Sequence, residues 1–259
     1  MINVIVLGAK GRMGSTIMEL IEQDNELKLV GVVEREELLS HFNNLDCDVS
    51  SNLEDIAKKY KGNAVLVDFT YPEVTMKANE VCERYEIKEV IGTTGLSSND
   101  LNMLREKAKK IPIFWAPNMS IGINVLLKLL PDLVRLLGDE YDVEISEIHH
   151  RHKKDAPSGT ALKLAEVLAK SKGWDTKNIR LCREGFIGER PDAEIGVQTL
   201  RGGDVVGEHT IYFLGPGERI DVTHRAYSRE TFAKGAIRAV KWINDKPAGS
   251  LYTMSDLLK

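Results

Sequence analysis

The stretch that most restricts the fold lies near the N-terminus, where a continuous apolar run, Val4 to Leu7, stops at GAKGRMG and is followed by apolar residues at Met13, Ile17, Leu20 and Ile21. The run reads as a strand and the later spacing as one face of a helix, since 3.6 residues per turn brings such positions together. Gly8, Gly11 and Gly14 stand three apart in the connection. Glycines there permit a tight turn, bring backbone N–H groups up to a pyrophosphate and let the helix lie close to the sheet, while the helix N-terminus favours phosphate charge. The plainer use of the same string is a strand-to-helix turn with a packing glycine.

The next apolar runs favour the first use. One, Leu27 to Val33, stops at Glu34, and another, Ala64 to Val67, stops at Asp68. Continuous rather than alternating runs suit strands covered on both faces, hence a parallel sheet. Val90-Ile91 and Ile111 to Trp115 repeat the pattern, leaving room for crossover helices over 74–84 and 99–109. Glu34 falls twenty residues after Gly14, where a carboxylate at a strand end accepts from a ribose hydroxyl. Roughly the first 120 residues thus predict a Rossmann-type, doubly wound domain that binds a dinucleotide. Glu34 repels a 2′-phosphate, whereas Arg35, Lys10 and Arg12 offer charge-assisted bonds to one, so use of both NADH and NADPH is expected. A surface pairing of Arg35 with Glu36 or Glu37 is the alternative.

After Asn124 the pattern changes. An apolar helix over 125–137 and a strand over 141–148 precede a helix over 160–170 closed by Gly173, and turn signals such as GGD and GPGE break residues 197–225 into strands of a mixed or antiparallel sheet. A final amphipathic helix over 229–243, with Ser228 as its expected N-cap, packs back on the first domain. The expected division is 1–122 with 227–259 for the cofactor domain and 123–226 for a substrate-binding and oligomerisation domain of α+β class.

The formal charge is -4, so no overall positive field exists to hold a nucleic acid or an anionic membrane, and neither is an expected partner. Cys47, Cys82 and Cys182 form no C-x-x-C pair, and the N-terminal apolar run is too short for a signal or a span, which together suggest a cytoplasmic protein. Against this acidic background, residues 149 to 161 read HHRHKKDAPSGTA. A metal site is disfavoured by the absence of H-E-x-x-H and of a partner cysteine pair, and a solvated charged loop is the usual fate of such a run. An anion site is the third reading. It takes charge from the lysines and arginine, a helix cap from Asp155 or Ser158, close backbone approach at Gly159, and a hydroxyl donor at Thr160. Histidine and lysine add groups that exchange protons, which gives the layout of a reductase acting on a small carboxylic acid.

With these motifs the chain resembles the 4-hydroxy-tetrahydrodipicolinate reductase (dihydrodipicolinate reductase) family over nearly its whole length. The resemblance rests on GAKGRMG at 8–14, IGTTG at 91–95, APNMSIGIN at 116–124, EIHHRHKKDAPSGTA at 147–161, RGGDVVGEHT at 201–210 and IDVTHRAYSRETFAKGA at 220–236. It implies a Rossmann domain completed by the C-terminal segment, a central substrate domain and a homotetramer. The family's cofactor motif falls on Gly8, Ala9, Lys10, Gly11, Arg12 and Met13, with Glu34 and Arg35. Gly92, Thr93 and Thr94, and Ala116, Pro117, Asn118 and Met119, fall on the loops that approach the nicotinamide. The catalytic histidine falls on His149 and the proton-donating lysine on Lys153, while His150, Gly159 and Thr160 match contacts to a substrate carboxylate. The implied substrate is a small cyclic dicarboxylate that loses water from C4, receives hydride there and takes a proton at C3. Lys153 rather than Lys154 is taken from the H-K-x-D pattern, and His152, His209 and His224 are expected to be structural or supporting. Two rival functions are an amino-acid dehydrogenase of the aspartate dehydrogenase kind and a nicotinamide-binding regulator without turnover. The histidine-lysine string speaks against both.

Overall fold

The computed structural model describes all 259 residues, Met1–Lys259. The first half runs β1 (Ile2–Leu7), α1 (Arg12–Glu22), β2 (Leu27–Val33), β3 (Asp48–Ser50), α2 (Leu53–Lys59), β4 (Val65–Asp68), α3 (Pro72–Tyr85), β5 (Lys88–Ile91), α4 (Ser98–Lys107) and β6 (Ile113–Trp115). It continues with α5 (Ile121–Leu137), β7 (Asp142–His149), α6 (Gly159–Ser171), β8 (Ile179–Leu181), β9 (Ile195–Arg201), β10 (Gly207–Gly215), β11 (Glu218–Ala226), α7 (Glu230–Ile243), β12 (Leu251–Tyr252) and α8 (Met254–Leu257). Two compact units result, Met1–Ile121 with Arg229–Lys259, and Gly122–Ser228.

The first unit is a seven-stranded parallel sheet in the order β12-β6-β5-β4-β1-β2-β3. Its inner strands are buried on both faces, as their continuous apolar runs require. In β1, Val4 and Val6 face one layer with Ile17 and Ile21 of α1 and Ala236 and Val240 of α7. Ile5 and Leu7 face the other, with Ile56 of α2, Cys82 of α3 and Leu104 of α4. Each of the valines, leucines and isoleucines among them contributes about 1.5–3 kcal/mol by leaving water. Local signals fix the helix starts: Asn52 accepts from the Glu54 amide, Ser97 and Asp100 form a reciprocal capping box, and Pro72 opens α3. Helix α7 is held close because Gly235 has no side chain; a Cβ there would lie 1.8 Å from the Met119 carbonyl oxygen.

The second unit is a mixed sheet in the order β11-β10-β7-β9-β8, antiparallel from β11 to β7 and parallel from β7 to β8. Helices α5 and α6 cover one face, with Leu130, Val134, Leu164 and Leu168 against Val143, Ile145, Val197 and Phe213.

Several expected boundaries shift. Strand β7 ends one residue later than expected, so His149 belongs to the sheet, and α6 opens at Gly159. Helix α7 begins at Glu230 with Arg229 at the cap position and no side-chain cap bond, whereas Ser228 was the expected cap. The reason is local: Arg229 already has helical φ and ψ, and its carbonyl accepts from the Phe232 and Ala233 amides.

Candidate active site

In the first unit the expected cofactor residues gather at the carboxyl ends of β2, β1, β5 and β6, the edge of a parallel sheet where ligands bind. Between β1 and β4 the strand order reverses, and there Gly8, at φ +72°, lies against Thr70; a Cβ on Gly8 would meet the Thr70 methyl at 2.7 Å. Gly14 is equally constrained, since its Cβ would lie 2.3 Å from the Gly8 carbonyl oxygen. No side chain caps α1 and its first turn holds no acid, so the amides of that turn suit an anionic ligand. This uncapped, glycine-lined turn fits a nicotinamide dinucleotide's pyrophosphate.

Glu34 closes the same edge. Its two oxygens accept from the Lys10 and Arg35 amides at 2.9 Å each, which holds the carboxylate beside the glycine turn with lone pairs left for ribose hydroxyls. The Arg35 guanidinium is largely exposed and pairs with Glu37 at 3.1 Å. Arg12 is exposed and Met13 half-buried. The side chains of Ala9, Ala116 and Met119 lie in the core, which leaves only their backbone for a ligand. Pro117 and Thr94 are exposed, Gly92 is packed under the Phe69 ring, and Asn118 accepts from the Ser120 amide at 2.9 Å.

Thr93 turns inward, towards a residue the motifs did not single out. Buried Asp68 accepts from the Thr70 amide and hydroxyl at 2.9 and 2.6 Å, from the Thr75 hydroxyl at 2.5 Å and from the Thr93 hydroxyl at 3.2 Å. Burial raises its carboxyl above the usual range, against the lowering effect of these hydrogen bonds. Trp115 joins the same support by donating to the Thr93 carbonyl at 3.3 Å.

The second unit places its chemistry on one face of the sheet. In β7 the residues Val143, Ile145, Glu147 and His149 alternate inward, so apolar packing at one end gives way to an acid and a histidine at the other. Glu147 is fully buried. It contacts His149 Nδ1 at 2.5 Å and accepts from Arg201 Nη1 and Nη2 at 2.9 Å each, from the Ser158 amide at 3.0 Å and from the Thr199 hydroxyl at 3.2 Å. Burial alone would raise its pKa, but the bonds from His149, Arg201 and Ser158 outweigh it and lower the value to about 2. His209 of β10 stacks edge-on to His149, with ring centroids 5.2 Å apart, and contacts the Ser158 hydroxyl at 3.0 Å. Burial first, then the charge of His149, pushes His209 down to about 3, so it is neutral at ordinary pH.

Ser158, and not Asp155, caps α6, accepting from the Ala161 amide at 3.1 Å. Asp155 instead pairs with Lys153 at 2.9 Å. Lys153 is half-buried while Lys154 and His152 are exposed, and the His150 amide donates to the Val205 carbonyl at 2.8 Å. Gly159 is exposed, and nothing lies within 4 Å of where its Cβ would be. No packing demand explains glycine there, so the open space is available to a ligand. Thr160 sits in the same turn, half-buried. Glu147 and Arg201 escaped the motif reading; the signal for Glu147 was its position two residues before His149 on a strand, which puts both on one face.

A glycine turn with a strand-end carboxylate on a parallel sheet, and a second unit bearing a histidine, a lysine and an open helix N-terminus, define a nicotinamide-dependent oxidoreductase. Residues 2–119 match the family description "Dihydrodipicolinate reductase, N-terminus" and residues 122–258 "Dihydrodipicolinate reductase, C-terminus". A 4-hydroxy-tetrahydrodipicolinate reductase of Oleidesulfovibrio alaskensis is 54% identical over 99% of both chains. A dipicolinate-bound dihydrodipicolinate reductase from Paenisporosarcina sp. TG-14 superposes with a TM-score of 0.78 at 28% identity, over 98% of this chain and 97% of that one. The chain belongs to the dihydrodipicolinate reductase family. Aspartate dehydrogenase from Thermotoga maritima shares the fold, with a TM-score of 0.53 at 10% identity over 96% of this chain and 100% of that one. Fold alone therefore does not separate the two families.

Proposed function

We propose that this chain reduces 4-hydroxy-tetrahydrodipicolinate to tetrahydrodipicolinate, in the diaminopimelate route to lysine, using either NADH or NADPH. The observation that carries the reading is the open N-terminal turn of α6 at Gly159, joined through buried Glu147 to His149. A ring carboxylate accepts from the amides of that turn and from the Thr160 hydroxyl, with His150 as a further contact. The C4 hydroxyl leaves as water, hydride takes its place at C4, and His149 and Lys153 exchange protons at the neighbouring carbon, with Asp155 keeping the Lys153 ammonium beside the cradle. Fixed positive charge on this side stabilises electron density that moves into the conjugated acid. A bound nicotinamide supplies the hydride.

Dual cofactor use is supported by Glu34, held to serve a ribose diol, next to the exposed Arg35, free to swing towards a 2′-phosphate. A homotetramer is supported by apolar residues exposed on the second unit, among them Leu181, Leu200, Leu214 and Ile220. Unpaired Cys47, Cys82 and Cys182 suit a reducing cytoplasm, and no helix is long and apolar enough to cross a membrane. The two-carboxylate specificity is tested by inhibition. Dipicolinate is expected to compete with substrate at least about ten times more strongly than picolinate, which lacks one carboxylate; equal inhibition would contradict the reading.

A further inference from the structure

The proposed chemistry places a proton on His149 but does not say what holds that imidazole. We propose that Glu147 is the positioning residue for His149: it fixes the histidine as the Nδ1–H tautomer, leaves Nε2 as the atom that exchanges protons, and ties that atom's place to the substrate cradle of α6. The assignment rests on the reading of His149 as the proton-exchanging group.

The groups around His149 support it from every neighbouring element. On its own strand, Glu147 meets Nδ1 at 2.5 Å. From β9, Arg201 grips both Glu147 oxygens and also donates to the Asp155 carbonyl at 2.6 Å, so one guanidinium joins the acid to the loop that enters α6. From α6, the Ser158 amide donates to the same carboxylate. From β10, Gly207 lies beneath the ring, where a Cβ would stand 3.0 Å from Nε2, and neutral His209 closes the side. A carboxylate is acceptor-only, so the nitrogen facing it must carry hydrogen, and the second nitrogen is left for exchange. When Nε2 gains a proton, the buried carboxylate lies directly opposite the new charge. Arg201 does more than neutralise: with two of its nitrogens on Glu147, the acid cannot rotate away from Nδ1.

A purely structural acid would leave kcat and its pH profile unmoved in a folded variant, so the tautomer and the profile are read together. Protein labelled with nitrogen-15 histidine is examined by solid-state NMR above pH 8, with His149 picked out among the six histidines by its loss in His149→Gln. The wild type is expected to show protonated Nδ1 and bare Nε2. Glu147→Gln, whose amide N–H faces Nδ1, is expected to shift the proton to Nε2, to lower kcat by about 100-fold or more and to move the kcat–pH profile, with dipicolinate affinity changed less than about threefold. A wild-type histidine with its proton on Nε2 overturns the proposal without need of any variant, as does a Glu147→Gln enzyme with unaltered kcat and pH profile. If the wild type turns over no 4-hydroxy-tetrahydrodipicolinate, the proposed substrate fails, while the tautomer still decides the role of Glu147.

Discussion

The Thr93 hydroxyl donates to Asp68 Oδ1 at 3.2 Å, across 25 residues of chain, and so links the ends of β4 and β5 beneath the loops assigned to the nicotinamide. The same carboxylate holds Thr70, which lies against Gly8 of the glycine turn. Asp68→Ala would strand several buried donors at once. A loss of about 3 kcal/mol or more in urea unfolding is expected, with a rise in KM for the cofactor larger than that for the substrate. Equal effects on both KM values would deny Asp68 its link to the cofactor loops.

Gly159 makes the opposite case, a glycine that the fold does not demand. Gly159→Ala is expected to keep Tm within about 2 °C, as exposed substitutions without lost contacts do, and to raise substrate KM by about tenfold as the methyl enters the cradle. An unchanged KM would remove the carboxylate from α6.

Lys153 and Lys154 are adjacent but not equivalent, since only Lys153 is half-buried and paired with Asp155. Lys153→Ala is expected to lose about 100-fold in kcat and Lys154→Ala less than about threefold. Similar losses would show that charge alone, not a positioned donor, matters.

At the other unit, Arg35→Ala is expected to raise KM for NADPH by about tenfold with little change for NADH, because only the former offers a phosphate to the guanidinium. If the ratio of the two holds steady, Arg35 serves only its pairing with Glu37.

Glu89 gives a pH-dependent prediction. It is buried beneath α3, where Asn79 donates to both its oxygens at 3.0 Å, yet burial dominates and raises its pKa to about 7 from an ordinary value of 4.5. A raised carboxyl stabilises the fold fully below pH 4.5, and that contribution is lost as pH rises through 7. The loss is on the order of 3 kcal/mol. Glu89→Gln, which stays neutral, is expected to flatten the stability profile between pH 5 and 8 and to exceed the wild type at pH 8. Parallel profiles for the two proteins would contradict the assignment.

The sequence made the strand, glycine turn and helix legible because they are consecutive, with Glu34 at the next strand end. It did not show β3 or β12, whose three and two residues are too short for any period to register. The glutamate beside His149 was visible as E-x-H, but its partner Arg201 lies 54 residues away and reaches it only through the pairing of β7 with β9. His209 is brought in likewise by β10, and its neutral state comes from burial, which local sequence does not report. Asp68 could be read as a strand end, not as the acceptor for threonines from α3 and from the loop after β5.

The most direct measurement monitors oxidation of NADH and NADPH by the purified protein. One arm supplies substrate formed in place from pyruvate and aspartate semialdehyde by the preceding synthase, and the other supplies oxaloacetate with ammonia. Turnover of both cofactors in the first arm alone is the predicted result. Turnover with oxaloacetate and ammonia, or none in either arm, would contradict the account.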